Sequence, residues 1–130
     1  MSYTTFEYSN LTVDTSLIGG GEEFKATIQI KNVGSVAGAE VVQFYISDLT
    51  STIKRPLKEL KGFNKVYLKP GESKSVQFVV DKYAISYFDE DKMSWIAEAG
   101  RFILWAGQSS AKLNAKVDFE LATTYWWTGL

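Results

Sequence analysis

The chain has 130 residues, 45% hydrophobic and 22% charged, with 14 basic against 15 acidic side chains and a formal net charge of -1. That is the composition of one globular domain able to bury a core without staples, and it excludes a disordered tail and a general polyanion binder. Histidine and cysteine are both absent, which excludes the usual zinc sites, Ser/His and Cys/His nucleophiles, haem ligation and disulfides.

Met1-Ser2-Tyr3-Thr4-Thr5 has neither the basic region nor the apolar core of a signal peptide. No later stretch approaches the roughly 20 apolar residues of a membrane span. The expectation is a soluble chain with no membrane and no nucleic-acid partner, its compartment left open. Asn10-Leu11-Thr12 is a glycosylation sequon, which matters only in a secreted protein. Gly19-Gly20-Gly21 lacks the Lys-Ser/Thr ending and the helix of a phosphate loop, so it reads as a connection.

From Phe24 onward the hydrophobic period is two, the strand period. Phe24, Ala26, Ile28 and Ile30 form one row, and Val42, Phe44 and Ile46 a second. Lys69-Pro70-Gly71-Glu72 predicts a tight turn before the row Val76, Phe78, Val80. Asp89-Glu90-Asp91-Lys92 predicts a hairpin tip between strands at 85–88 and 95–97. A strand over 101–107 follows, then the row Leu113, Ala115, Val117, Phe119, Leu121. No helical stripe runs for three turns. The sum is a single all-β domain over residues 1–130, a sandwich of about seven to eight antiparallel strands. Residues 1–8 make the incoming linker and first strand, and 122–130 an aromatic tail.

Candidate chemistry is thin. Asp89, Glu90 and Asp91 are the densest acidic group, a cation or substrate site on one reading and a solvated turn on the other. Lys54, Arg55, Lys58, Lys61, Lys65, Lys69 and Lys74 crowd one third of the chain. They read as a patch for an acidic partner or as an edge strand guarded by lysines, the second being preferred. No cofactor or metal is expected.

The aromatic content is the anomaly: four Trp, seven Tyr and eight Phe. In 101–107, Phe102, Leu104 and Ala106 share one face, leaving Ile103 and Trp105 on the other. Tyr45 lies opposite Val42, Phe44 and Ile46. One-sided strands would expose Tyr45, Ile103 and Trp105 on a sheet face, and Trp126 and Trp127 add an apolar tail. Docking onto a larger protein, a tail folded back over its own domain, and stacking on sugar rings all fit.

Four segments in order resemble the glycoside hydrolase family 3 β-glucosidases: SYTTFEYSNL (2–11), KNVGSVAGAEVVQFYISD (31–48), RPLKELKGFNKVYLKPGES (55–73), and 85–108 with SYFDED, EAGRF and AGQSS. Together they span essentially the whole chain. It is identified as similar to the C-terminal fibronectin type III-like domain of those enzymes, most like the fungal ones. The resemblance implies an immunoglobulin-like β-sandwich without catalytic residues, since the family's nucleophile and acid/base residues lie in preceding domains. Ser47-Asp48-Leu49 is not its Ser-Asp-Trp nucleophile motif. Met1 stands where Gly-Leu would precede Ser2, which suggests an excised segment with an added start codon, a natural stand-alone gene being the alternative. The implied partners are the catalytic domains of the parent enzyme, with polysaccharide or lignin as the alternative. A stripped interface would also permit self-association. Candidate interface residues are Tyr3 and Phe6 at the incoming linker, Tyr45, Ile103 and Trp105 on the sheet, Arg55 in the loop 48–55, and Trp126 and Trp127 in the tail.

Overall fold

The computed structural model describes residues 4–19, 22–49 and 58–128. Tyr3, Arg55, Gly20, Gly21 and the greater part of the loop 48–55 lie outside them. The strands are β1 (Phe6–Val13), β2 (Leu17–Ile18), β3 (Phe24–Asn32), β4 (Gly38–Asp48), β5 (Glu59–Leu68), β6 (Ser73–Val80), β7 (Tyr87–Asp89), β8 (Ser94–Ala97), β9 (Gly100–Gly107), β10 (Leu113–Leu121) and β11 (Tyr125–Trp127). One helical turn, α1 (Lys82–Ile85), follows β6. Among the described residues, eight strands have four or more residues, matching the expected number, and three shorter ones add to them.

Two sheets face each other. One has the order β1-β3-β6 and the other β2-β10-β9-β4-β5, while β11-β8-β7 make a small third sheet. The long strands pair antiparallel; β2 alone among the described strands pairs parallel, Leu17 and Ile18 lying beside Glu120 and Leu121. Alternation sets which residues face inward. Phe24, Ala26, Ile28 and Ile30 of β3 are buried, as are Val42, Phe44 and Ile46 of β4 and Phe102, Leu104 and Ala106 of β9. Phenylalanines knit the layers together. Phe24 of the first sheet meets Phe119 of the second at 4.9 Å, Phe119 stacks on Phe102 at 5.1 Å, and Phe78 stacks on Phe44 at 4.8 Å. Each such side chain, taken from water, contributes about 1.5–3 kcal/mol.

Phe6 is corrected by this packing. It is the first residue of β1, pairs with Asn32, and is buried in the core rather than lying in a linker.

Gly62 is a close approach between layers: a Cβ there would sit 2.5 Å from Cε1 of Phe78. In the 69–72 turn, Gly71 has φ of 81° and Glu72 N donates to Lys69 O at 2.9 Å, the geometry that Pro-Gly predicts. Glu72 Oε1 closes the turn by accepting from Lys69 N.

Asn32 is a polar keystone at zero exposure. Its Oδ1 accepts from Thr4 Oγ1 and Gly34 N, both at 2.9 Å. Its Nδ2 donates to Val36 O at 2.9 Å and Leu68 O at 3.0 Å. One amide thus ties the chain before β1, the β3–β4 loop and the end of β5, with every hydrogen-bonding site used, as burial demands. A second polar bridge joins the sheets. Glu40 Oε2 accepts from Tyr8 Oη at 3.0 Å and from Gln108 Nε2 at 2.8 Å. Burial, then the neighbouring Glu40 charge and its hydrogen bond, push the Tyr8 phenol well above its ordinary range.

The helical turn was not legible as a periodic stripe because it is only four residues long. Asp81 caps it, its Oδ1 accepting from Tyr83 N and Ala84 N. It takes Ile85, which alternation assigns to a strand, so that β7 starts at Tyr87. The hairpin tip is as expected. Asp89 Oδ1 accepts from Asp91 N and Lys92 N, so this acidic side chain shapes the turn.

Candidate interaction surface

The outer face of the five-stranded sheet is built from residues one step out of phase with the core. Register places Leu60, Tyr45, Trp105 and Lys116 in one row across β5, β4, β9 and β10. Beside it lie Phe63 with Gln43, and Ser47 with Ile103 and Asp118. Further along, Lys65 pairs with Val41 and Tyr67 with Ala39. The structure therefore brings together Tyr45, Ile103 and Trp105, three of the expected interface residues, on one surface.

Their exposure differs from expectation. Tyr45 retains only 7% of its surface and is not an exposed sheet residue. It lies between Leu60 and Trp105, and its hydroxyl donates to Gln43 Oε1. Ile103 and Trp105 are half-buried. Trp105 Nε1 donates to Ser47 Oγ at 3.0 Å, while Lys58 and Lys116 place their ammonium groups 4.8 and 5.5 Å from the ring centroid.

The strongly exposed apolar residues of this face are ones the alternation missed: Phe63 at 72%, Tyr67 at 57% and Leu60 at 52%. A bulge opposite Phe44 and Tyr45 adds one residue to β5 and reverses the phase of its first residues, hiding the pattern. Of the Lys-rich stretch, Lys61 and Lys65 fall on β5, an edge strand, and Lys74 on β6, at the edge of the other sheet, while Lys54 and Arg55 lie outside the described residues. Apolar surface continues around that edge into a shallow groove lined by Leu60, Phe78, Val79 and Tyr83.

The aromatic tail does not extend this face. β11 pairs with β8 and folds back on its own domain, as one of the sequence alternatives holds. Trp127 is buried: it stacks on Trp95 at 5.3 Å, meets Tyr83 edge-on at 4.7 Å and donates to Ser86 Oγ at 3.2 Å. It is part of an internal cluster and not an exposed anchor. Trp126 points outward, 46% exposed, with Lys92 4.3 Å from its ring. Sugar stacking would use a flat row of open rings. Here Trp95 and Trp127 cover each other, and Trp105 and Trp126 lie beneath lysines. Among the described residues, no group of three acidic side chains converges as a metal site, and no helix is long and apolar enough to cross a membrane.

Comparison with known proteins places this geometry. The model of the fibronectin type III-like domain matches residues 40–110. The chain is 41% identical, over 95% of its length, to thermostable β-glucosidase B of Acetivibrio thermocellus, of which it covers 16%. It is 43% identical over its whole length to probable β-glucosidase H of Aspergillus clavatus, again covering 16%. The crystal structure of a β-glucosidase from Kluyveromyces marxianus superposes on all of the chain with a TM-score of 0.91 at 40% identity, 15% of that chain being covered. β-Glucosidase 3B of Thermotoga neapolitana in complex with glucose gives 0.88 at 35% identity, over 99% of this chain and 17% of its own. The chain thus spans about a sixth of the proteins it matches. With its two facing sheets and this family match, the chain belongs to the fibronectin type III-like domain family, in the form carried by family 3 β-glucosidases.

Proposed function

We propose that this chain is a non-catalytic, C-terminal module of a family 3 β-glucosidase that packs on the catalytic domains and stabilises them. The observation that carries this reading is the outer face of the five-stranded sheet, where Leu60, Phe63 and Tyr67 stand exposed beside Tyr45, Trp105 and Ile103. A contiguous apolar face on a small domain marks an interface. A chain matching about one sixth of much longer enzymes has a large body available to cover it. Aromatic and branched side chains at the centre with lysines around them follow the usual anatomy of a protein contact.

The test is a graft. The matching segment of the Kluyveromyces marxianus β-glucosidase is replaced by this chain, and Tm and aryl-glucoside hydrolysis are measured. The graft is expected to be active and more stable than the enzyme with the segment deleted. Leu60→Ser with Phe63→Ser is expected to lower the graft's Tm by about 3 °C or more, while changing the isolated domain by about 1 °C or less, since both residues are exposed there. Equal Tm values for graft and graft variant would overturn the reading.

A further inference from the structure

The charge around the apolar face identifies its partner more narrowly. Lys116 on β10 and Lys65 on β5 flank the apolar centre of the outer face from its two sides, and Lys58 leads into β5. Lys58 and Lys116 hold their ammonium groups against the Trp105 ring, 4.8 and 5.5 Å from its centroid, and no carboxylate of the described residues pairs with either. Of the acidic groups on the outer face of β10, Glu120 stands beside Arg101, away from the Trp105 ring. Asp118 pairs with Arg101 at 3.2 Å and Glu59 with Lys61 at 3.7 Å. In a chain of net charge -1, two ammonium groups thus stand over one aromatic ring of this face.

We propose that the surface covering this face is acidic: an apolar spot for Leu60, Phe63 and Trp105, flanked by carboxylates that take the ammonium groups of Lys58 and Lys116. This rests on the docking reading above and names the chemistry of the partner, the catalytic body of a β-glucosidase. Desolvating two lysines against a neutral apolar surface opposes docking, whereas carboxylates opposite them fix register and offset that loss. The indole holds the ammonium groups in place beforehand, so less side-chain freedom is lost on contact.

The same graft tests it, with Lys58→Glu and Lys116→Glu together. The Tm of the graft is expected to fall by about 3 °C or more in 50 mM NaCl and by less than half as much in 0.5 M NaCl, where the Debye length shrinks to about 4 Å. Lys58→Gln with Lys116→Gln is expected to give a smaller, equally salt-sensitive fall, and the Arg pair none. The isolated domain carrying the Gln pair provides the control for folding. Falls for the Leu60/Phe63 variant but none for either charge variant would refute the acidic partner and leave the docking reading standing. No fall for any variant would remove both. A fall for the charge variants that is the same at both salt concentrations would also refute the acidic partner.

Discussion

Replacing Asn32 by alanine tests the polar keystone directly. The substitution strands the Leu68 carbonyl in a buried site, which costs about 1–3 kcal/mol. The bonds to Thr4, Gly34 and Val36 are only part-buried, and water replaces them at a net loss of about 0.5–1 kcal/mol each. The total is about 2.5–6 kcal/mol. Unfolding entropy of about 2.1 cal/mol/K per residue converts this to a Tm lower by about 9–22 °C. Differential scanning calorimetry of the isolated domain measures it, with Asn64→Ala, at an exposed residue of β5, as the control, expected within about 0.5 kcal/mol. Asn32→Asp sharpens the test. It keeps the acceptor for Thr4 and Gly34 but turns a charged oxygen toward two carbonyls, and is expected to be no more stable than the alanine variant at pH 7. A Tm within about 3 °C of the parent for Asn32→Ala would refute the idea that this amide holds three segments together.

Three other outcomes follow from the packing. Tyr8 has a phenol pKa raised by burial and Glu40, so its folded value lies above the unfolded 10.0. Its stabilisation is complete below pH 10 and declines above it by about 1.4 kcal/mol per pH unit; urea titrations at pH 9 and 11 are expected to show a steeper loss than in Tyr8→Phe. Gly62→Ala drives a methyl into the Phe78 ring, itself stacked on Phe44, and is expected to cost about 1–3 kcal/mol by urea denaturation, with Gly62→Ala/Phe78→Leu recovering part of it. Trp127→Ala empties the centre of the Trp95, Tyr83 and Ser86 cluster and is expected to cost about 3–5 kcal/mol and reduce the near-UV circular dichroism; an unchanged spectrum would show that the cluster does not persist in solution.

Regular alternation made the long strands legible. Rows such as Phe24 to Ile30 and Val42 to Ile46 can bury one face only in one register, so the sandwich follows from them. Tyr45, Ile103 and Trp105 were legible as one surface for the same reason, being apolar in the wrong phase. The rest of that surface was not. Leu60 and Phe63 sit on either side of a bulge, and a one-residue insertion reverses the apparent face of every residue beyond it. Tyr45 shows the converse limit. Its phase places it outward, but whether neighbouring side chains cover it depends on contacts between strands distant in sequence. The Trp126-Trp127 pair divides because three residues of strand send one ring in and the next one out, and only the pairing of β11 with β8 decides which. Nothing local to Asn32 announces that its partners lie as far away as Thr4 and Leu68.

The short parallel pairing of β2 with β10 has a kinetic consequence. Leu17 and Ile18 have no ladder partner until Glu120 and Leu121 are in place, so the edge of the larger sheet closes across nearly the whole chain. Such distant pairings pay their loop-closure entropy late and put folding in the millisecond-to-second range. During vectorial synthesis, Leu17 and Ile18 therefore wait for about a hundred residues to follow, and β10 stays without its outer neighbour until they are captured.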